Sequence, residues 1–260
     1  MSHLLAIDAG NTRLKWALHD GSGWVKKGAI PVAEMARPER LGDMWANLGI
    51  TRAVVSNVAG DAVTAAIERA LQPLAVVPQR IISKHEQCGV INRYIVPEQL
   101  GSDRWAALIA ARHMVLPGTD FLVPRLVIMA GTALTIDALS AEGEFSGGII
   151  LPGPALMRAA LNRGTARLPA EPGEYEMFPA STLSAIATGA VEACMGAIMR
   201  MRTHLAARAG KVPVCVMSGG AGGILIPHFQ ALSLPVSFSE NLVLDGLLAI
   251  SAEMISRKNG

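Results

Sequence analysis

A polar segment follows the first apolar run of the chain: Asp8–Thr12, with the sequence DAGNT. Small residues at a strand-to-turn junction expose backbone N–H groups and let an anion approach closely. Asp8 is suited to hold Mg²⁺ or its water, and Asn11, Thr12 and Lys15 offer hydrogen-bond donors to phosphate oxygens. The segment therefore indicates a phosphate-binding turn. An ordinary hairpin in which Asp8 and Asn11 cap the turn would give the same pattern.

A second polar segment, 101–104 (GSDR), stands directly before an apolar-periodic stretch that predicts a helix over Trp105–Val115. One interpretation is that Ser102 or Asp103 caps this helix. The other is that Asp103 accepts a hydroxyl proton while Arg104 holds a carboxylate or phosphate. Phosphoryl transfer needs mainly positioning and charge neutralisation, so an aspartate with an ordinary pKa is sufficient for that role.

Two further segments are rich in glycine. Gly131-Thr132-Ala133 is typical of a second phosphate turn, and 218–223 (SGGAGG) follows a predicted strand over Val212–Met217. Neither segment is a GxxxxGK[ST] loop, and the chain contains no GxGxxG or GxSxG motif. The six histidines show no metal-ligand spacing. Cys88, Cys194 and Cys215 lie outside any CxxC motif, so we expect reduced, mostly buried thiols.

Composition and charge exclude several classes of protein. The chain has 260 residues, of which 51% are apolar and 17% charged, enough for two domains with buried strands and unlike a coiled coil. The 23 basic and 21 acidic side chains give a net charge of +2, which argues against a nucleic-acid partner. The amino-terminal sequence lacks a basic region, and prolines and glycines interrupt the uncharged stretch 212–238. We therefore expect a soluble, cytoplasmic protein without a membrane partner.

The elements that must position these residues follow an α/β pattern. An apolar run over Leu4–Ile7, alternation of Leu14, Trp16 and Leu18, and a third run over Trp24–Ile30 predict a three-stranded antiparallel meander. A buried strand is predicted over 52–58, between helices over 38–48 and 61–71.

The same order of elements recurs later in the chain. The sequence from Leu126 repeats that from Leu4: an apolar run, an AGT or AGNT turn, an alternating strand, a glycine-containing turn and a third strand. The repeat predicts two similarly built halves joined near Val115–Pro124. We expect a ligand in the cleft between them, facing both turns.

Together these segments resemble the type III pantothenate kinases, members of the acetate and sugar kinase, Hsp70 and actin superfamily. The resemblance is carried by DxGNTxxK from Asp8, GxDR from Gly101, GTAxTID from Gly131 and the SGG at Ser218. It extends along nearly the whole chain through SGGIILPG at 146–153, STLSAIATG at 181–189 and ENLVLDGL at 240–247.

The resemblance implies the fold and the reaction. The fold is α/β, with two ribonuclease H-like (actin-like ATPase) domains, residues 1–118 and 119–260, and the nucleotide in the cleft between them. The first domain carries the first phosphate loop and the GxDR segment. The second carries the second phosphate loop, an adenosine segment and dimer contacts. The implied reaction is ATP-dependent phosphorylation of pantothenate to 4′-phosphopantothenate, the first step of coenzyme A biosynthesis, in a homodimer.

Carried over position by position, the resemblance also implies the site. Asp103 is the proton acceptor, Asp8 helps to place Mg²⁺, directly or through a water, and Thr182 reaches the substrate across the dimer interface. The implied ATP-binding residues are Asp8, Ala9, Gly10, Asn11, Thr12, Arg13, Leu14, Lys15 and Thr132. The implied pantothenate-binding residues are Tyr94, Gly101, Ser102, Asp103, Arg104 and Thr182.

The chain departs from the family pattern at Met129 and Ser184. Where the family often has an aspartate associated with K⁺ or NH₄⁺, this chain has Met129, and a thioether is a poor ligand for a hard cation. A backbone or other oxygen would have to take its place. Ser184 stands where the family often has an acidic residue.

Two alternative functions remain open at this stage. Relatives of this family were also named as accessory factors for gene expression, which would make the chain a nucleotide-binding regulatory protein. Its near-neutral charge argues against direct DNA contact, and its intact Asp8, Asp103 and Arg104 argue against a degenerate enzyme. The other alternative is a kinase of the same fold for another small hydroxyl acceptor, with a different pocket around Tyr94 and Arg104.

Overall fold

The computed structural model of the protein describes residues 3–36, 39–116, 122–165, 168–169 and 171–259. Strands and helices follow one another along these residues. The strands are β1 His3–Ala9, β2 Arg13–His19, β3 Trp24–Pro31, β4 Ile50–Asn57, β5 Pro78–Arg80, β6 Glu86–Gln87, β7 Val90–Asn92, β8 Arg125–Ala130, β9 Ala133–Leu139, β10 Glu144–Pro152, β11 Val214–Ser218 and β12 Val236–Phe238. The helices are α1 Glu39–Trp45, α2 Asp61–Leu71, α3 Ser102–His113, α4 Pro154–Gly164, α5 Thr182–Ala209, α6 Gly222–Ala231 and α7 Leu242–Asn259.

Packing divides the chain into two units. The first contains the described residues up to His113 together with those from Asn241 onward, and the second contains Met114–Glu240. Helix α7 therefore packs with the first unit, where it lies against α3. The domain boundary predicted between residues 118 and 119 falls outside the described residues, so the division into 1–118 and 119–260 stays a prediction.

The first unit is built on the sheet β3-β2-β1-β4-β5. Strands β1, β2 and β3 pair antiparallel, as predicted for the meander, whereas β4 pairs parallel with β1 and with β5. Leu5 and Ile7 of β1 are fully buried, as expected for a central strand covered on both faces. The edge strand β3 exposes Lys26 and Lys27, charges that discourage pairing with another chain.

The second unit repeats this arrangement. Its strands follow the order β10-β9-β8-β11-β12, with β8, β9 and β10 antiparallel and β11 parallel to both β8 and β12. Strand for strand this is the order of the first sheet, so the internal repeat predicted from Leu4 and Leu126 is confirmed. The predicted strand over 212–217 is β11, which begins at Val214.

Two of the observed helices differ at their ends from the predicted ones, whereas α2 has the predicted bounds 61–71. Helix α1 ends at Trp45, three residues before the predicted end. Helix α3 begins at Ser102, three residues before the predicted start, because Ser102 and Asp103 form its first turn. The shift places Asp103 within the helix amino terminus.

Helix α5 is the core helix of the second unit. Its amino terminus is capped by the Ser181 side chain, which accepts a hydrogen bond from the Ser184 N–H, and it ends at Gly210 in a left-handed conformation. Among the described residues it is the one helix long and apolar enough to cross a membrane by length and composition alone. Val191, Cys194 and Ile198 bury one of its faces in the hydrophobic core of the unit, as in the core helix of a globular domain.

Candidate active site

The Asp8–Thr12 segment forms the tight turn between β1 and β2. The Gly10 N–H donates to the Arg13 carbonyl over 3.1 Å, and Asp8 pairs in register with Lys15 on the neighbouring strand. Asn11, Thr12 and Arg13 are exposed at the turn. An exposed turn of small and polar residues beside a carboxylate and a lysine has the chemistry to hold a phosphate and its cation.

Two residues of the predicted ATP-binding set turn their side chains away from this surface. Ala9 and Leu14 are fully buried in the core of the first unit. Only their backbone groups are left to meet a ligand, so within this set the side-chain chemistry comes from the polar positions.

Asp103 lies in the first turn of α3, and Gly101 makes room for its carboxylate. A Cβ at Gly101 would stand 2.7 Å from the Asp103 Oδ1. This oxygen accepts a hydrogen bond of 2.8 Å from the Arg104 N–H. Burial raises the pKa of Asp103 above its ordinary value, and the hydrogen bond and charge of Arg104 oppose that rise. The carboxylate is thereby made more basic than a solvated aspartate.

The charge of Asp103 acts on Asp8 within the first unit. Burial, the larger cause, and the negative charge of Asp103 together raise the pKa of Asp8 to about 7, against the opposing positive charge of Lys15. A carboxylate whose ionised form is disfavoured by a neighbouring carboxylate is a natural place for a cation. Mg²⁺ is usually bound through one or two carboxylates together with substrate phosphates, so this donor set fits the ion.

Arg104 and Tyr94 meet beside Asp103. The Arg104 Nη1 donates to the Tyr94 hydroxyl over 3.3 Å, and its guanidinium carbon lies 5.9 Å from the centre of the Tyr94 ring. Arg104 is only 5% exposed. A guanidinium held in a protein environment binds a carboxylate strongly, since little water competes for it.

Ser102 contributes in a different way from its neighbours. Its hydroxyl is buried and lies 2.9 Å from the hydroxyl of Ser56, which is fully buried in β4. The side chain therefore ties the start of α3 to the sheet. Its predicted role in substrate binding stays a prediction.

The turn that carries Thr132 in the second unit resembles the first turn in construction. The Gly131 N–H donates to the Ala133 carbonyl over 3.0 Å, as Gly10 does to Arg13, and Thr132 is exposed. Gly219, with φ +105°, packs its backbone against Ala130, where a Cβ would collide with the carbonyl oxygen. Gly219 thus allows two backbone segments to approach, which explains its presence without a ligand, whereas a Cβ at Gly131 would stand an ordinary 3.5 Å from the Ala133 carbonyl oxygen.

Met129 is the last residue but one of β8 in the second unit, close to this turn. It pairs in register with Thr135 and Ser218, and its side chain is half-buried. A thioether does not suit K⁺ or NH₄⁺, so this residue does not fit the monovalent cation site that the resemblance implied. Among the described residues no group of three or more His, Cys, Asp or Glu side chains is arranged to hold a metal ion.

Thr182 begins α5 and lines an apolar groove of about 690 Å³ in the second unit. The groove lies between α4 and α5, with Met157, Leu161 and Ile186 among its lining residues.

The side chain of Glu176 accepts a hydrogen bond of 2.6 Å from the Ser184 hydroxyl. An acidic group is thus present beside Ser184, although it comes from an earlier position in the chain.

Sequence reasoning missed several side chains that hold the site together. Ser56 bonds to Ser102, Ser83 donates to the Leu100 carbonyl over 2.6 Å, and Asn92 bonds to the loop that carries Tyr94. Asn92 left a signal in the sequence, since an asparagine two residues before its backbone partner is typical of an Asx turn. The two serines left none, because their partners are distant along the chain.

Comparison with known proteins settles the family. The sequence profile described as type III pantothenate kinase matches residues 4–204 of this chain. The chain belongs to the type III pantothenate kinase family. A relative of that name from Nitrosospira multiformis is 44% identical over 258 residues, covering 99% of this chain and 94% of its own.

Solved structures agree on the fold of this type III pantothenate kinase. A Baf family transcriptional activator from Campylobacter jejuni matches with a TM-score of 0.57 at 20% identity, covering 97% of this chain and 99% of its own. MreB5 of Spiroplasma citri bound to ADP matches with a TM-score of 0.53 at 11% identity, covering 100% and 99%. At such identities the likeness shows the fold alone. The predicted fold class, two ribonuclease H-like domains of the actin-like ATPase type, is confirmed.

Proposed function

We propose that the protein transfers the γ-phosphoryl group of ATP to the primary hydroxyl of pantothenate, with Asp103 accepting the hydroxyl proton. Membership of the type III pantothenate kinase family supports the reaction, its two substrates and its place at the start of coenzyme A biosynthesis. The observation that supports the residue assignment is the link between Asp8 and the start of α3: Ser56 pairs with Asp8 across β4 and β1, and its hydroxyl lies 2.9 Å from that of Ser102, the residue before Asp103. The negative charge of Asp103 also helps to raise the pKa of Asp8.

The Asp8–Lys15 segment binds the phosphates of ATP in this proposal. Backbone N–H groups of the exposed turn and the Lys15 ammonium donate to phosphate oxygens, while Thr132 supplies a further contact from the second phosphate turn. Asp8 holds Mg²⁺, directly or through a water. When bound, the ion neutralises phosphate charge.

Arg104 orients pantothenate for the reaction. Its buried guanidinium, supported by the Tyr94 ring and hydroxyl, binds the carboxylate end of the substrate. The backbone at Gly101 and Ser102 and the side chain of Thr182 complete the proposed contacts. With the hydroxyl thus placed, Asp103 removes its proton as the oxygen attacks the γ-phosphorus, the bond from that phosphorus to the β,γ-bridging oxygen breaks, and ADP leaves. The raised pKa of Asp103 favours the proton transfer.

The substitution Asp103→Asn tests the proposed base. We expect turnover to fall by about 10²–10⁴-fold, the usual contribution of a positioned base, with thermal stability little changed because the side chains are nearly isosteric. Product is measured as 4′-phosphopantothenate by mass spectrometry with both substrates saturating. Asp61, an exposed aspartate in the first turn of α2, provides the matched control, and Asp61→Asn should leave turnover unchanged. Undiminished turnover in Asp103→Asn would remove Asp103 from the mechanism.

We also propose that two copies pair through the apolar groove of the second unit. The same unit also exposes large apolar side chains outside the groove lining: Ile150 is 63%, Met177 77% and Phe178 86% exposed. Exposed apolar surface of this extent is typical of an interface. Thr182 lines the same groove, which supports its proposed role at a site shared between copies.

Sedimentation velocity tests the proposed dimer. Leu161→Glu places a charge on the groove and should convert the dimer to monomer at micromolar concentration. Leu232→Glu charges a comparably exposed leucine of the same unit that does not line the groove, and should leave the dimer intact. A wild-type protein that sediments as a monomer would contradict the proposal.

The net charge and the burial of α5 bear on where the protein is located and on its partners. We infer a cytoplasmic enzyme without nucleic-acid or membrane partners, because its net charge is only +2 and its apolar helix α5 lies in the core of the second unit. Fractionation of cells that produce the protein should recover it with the cytosol, and recovery with membranes would contradict this inference.

A further inference from the structure

The loop between β7 and α3 carries both ends of the proposed pantothenate site. Tyr94 lies near its start, and Asp103 and Arg104 follow its end. Loops of this length are mobile unless something fixes them, and Ile95 in this loop is fully exposed. A substrate site that depends on the contact of Tyr94 with Arg104 therefore needs interactions that fix the backbone of the loop.

The hydrogen bonds of Asn92 can fix the backbone of this loop. Asn92 is 1% exposed, and its side-chain Oδ1 accepts from the Tyr94 N–H over 3.0 Å. Its Nδ2 donates to the Pro97 carbonyl over 3.1 Å, and its own N–H donates to the His85 carbonyl over 2.8 Å. One buried side chain thus joins the backbone on both sides of the exposed part of the loop.

The Pro97 carbonyl extends this connection toward α3. It accepts from the Leu100 N–H over 3.2 Å as well as from Asn92, closing a 3₁₀ turn over Pro97–Gln99. The Leu100 carbonyl in turn accepts from the buried hydroxyl of Ser83 over 2.6 Å. Leu100 stands directly before Gly101 and the catalytic turn, so the chain of bonds runs from Tyr94 to the start of the helix.

We propose that Asn92 is a positioning residue for pantothenate: its amide fixes Tyr94 against Arg104 and holds the loop in register with the amino terminus of α3. The proposal rests on the proposed function, because it assumes that Tyr94 and Arg104 contact the substrate. Asn92 itself touches neither substrate.

The physical reason for a large effect is geometric. A shift of about 1 Å in a group that orients a substrate can cost on the order of 100-fold in rate. Loss of the amide removes its bonds to the Tyr94 N–H and to the Pro97 carbonyl, which keeps only the bond from the Leu100 N–H, and this favours movement of the loop toward water. The turn that binds ATP has no bond to Asn92 among the contacts described, so its geometry should be kept.

Kinetics of Asn92→Ala test the proposal. We expect the KM for pantothenate to rise by about tenfold or more, which corresponds to about 1.4 kcal/mol of lost binding, while the KM for ATP stays unchanged. A merely structural role would instead lower the active fraction, reducing kcat without moving either KM. Unchanged KM for pantothenate in a folded variant would overturn the proposal.

Asn57 offers a matched control. Its Oδ1 accepts from the Ala59 N–H over 2.8 Å and its Nδ2 donates to the Gly60 carbonyl over 2.9 Å, as in the Asn92 turn, and the Nδ2 also donates to the Thr64 hydroxyl over 2.7 Å. Asn57→Ala should cost comparable thermal stability and leave the KM for pantothenate unchanged. If Asn57→Ala raised that KM as much as Asn92→Ala, the effect would be a general one of turn loss and the proposal would fail.

Asn92→Asp keeps the proposal testable if the alanine variant does not fold. Aspartate retains the acceptor for the Tyr94 N–H and loses the donor to Pro97, so its KM for pantothenate should lie between those of wild type and Asn92→Ala. A KM equal to that of wild type would show that the bond to Pro97 contributes nothing and would remove that half of the argument.

A double-mutant cycle separates this proposal from the function on which it rests. Tyr94→Ala should raise the KM for pantothenate, and adding Asn92→Ala to it should raise the KM little further, since Asn92 acts through Tyr94. Full additivity would overturn the positioning role alone. If Tyr94→Ala left the KM unchanged while Asp103→Asn still lowered turnover as predicted, the proposed substrate contacts would fail instead.

Discussion

The hydroxyl of Ser56 in β4 lies 2.9 Å from the hydroxyl of Ser102 in α3, and this hydrogen bond connects the two elements next to the proposed site residues Asp8 and Asp103. Ser56 stands beside Asp8 in the parallel pairing of β4 with β1, and Ser102 directly precedes Asp103. The pair therefore links the strand that presents one carboxylate to the helix that presents the other. Both side chains are buried, so the bond is shielded from water.

Removing one of these hydroxyls should cost more than removing both. Ser56→Ala leaves the Ser102 hydroxyl buried without its serine partner, and we expect a loss of about 1–3 kcal/mol in the free energy of unfolding, together with lower kcat. The double variant Ser56→Ala/Ser102→Ala should recover part of the stability but not the kcat. Urea unfolding and steady-state kinetics measure both quantities. Equal kcat in wild type and Ser56→Ala would show that the link does not position Asp103.

Gly101→Ala should impair catalysis without disturbing the fold. Its Cβ would stand 2.7 Å from the Asp103 Oδ1, and because this atom ends a flexible side chain, the carboxylate moves rather than the backbone. Displacing the base should lower kcat by on the order of 100-fold, while the melting temperature stays close to that of wild type. Gly42→Ala, where the nearest contact is an ordinary 3.9 Å, is the control and should keep full activity. A fully active Gly101→Ala would mean that Asp103 tolerates displacement.

Gly246→Ala should destabilise the first unit. Helix α7 packs against α3 so closely at this position that a Cβ would collide with the backbone carbonyl of Ala106. Because both partners are backbone in packed helices, neither can move cheaply, and we expect a loss of about 1–3 kcal/mol or more. Thermal and urea unfolding measure it, again with Gly42→Ala as control. Unchanged stability would show that the two helices separate easily.

Local sequence patterns predicted the elements whose signals are themselves local. The meander from Leu4, its repeat from Leu126 and the bounds of α2 all follow from the spacing of apolar residues and turn residues. The Asp8 turn and the position of Asp103 at a helix start followed from the same signals. These features could be predicted because each depends on neighbours within a few residues.

What could not be predicted depends on contacts between residues far apart in sequence. Helix α7 packs with the first unit by placing Gly246 against Ala106. The Ser56–Ser102 hydrogen bond likewise joins residues that are far apart in sequence. The start of α3 at Ser102 was missed because a hydrogen bond to another strand stabilises its first turn. Periodicity records which face of an element is buried but not against what it packs.

The pH dependence of stability should reveal Asp8. Its pKa is raised to about 7 in the folded protein, so between its ordinary value and about 7 the folded protein keeps the proton that the unfolded chain releases. The stability from this group is full below its ordinary pKa and is lost as pH rises through about 7. In a chelating buffer the melting temperature of wild type should therefore fall between about pH 5 and about pH 8 more steeply than that of Asp8→Asn.

Two further observations sharpen this prediction. Asp103 also has a raised pKa, so Asp8→Asn should keep part of the dependence rather than lose all of it. Added Mg²⁺ should stabilise wild type at about pH 8 more than it stabilises the variant, because binding favours the ionised carboxylate. Parallel melting curves for the two proteins would contradict the raised pKa of Asp8.

The response to monovalent cations should reflect Met129. A soft thioether does not attract a hard cation, so we expect the same turnover in K⁺, NH₄⁺ and Na⁺, while Met129→Asp should create stimulation by K⁺. Steady-state rates at constant ionic strength measure the response. Strong stimulation of wild type by K⁺ would contradict the expectation and direct attention to Thr135, the cross-strand partner of Met129, whose buried hydroxyl has no hydrogen-bond partner among the described residues. Thr135→Val would then abolish the stimulation if that oxygen is a ligand.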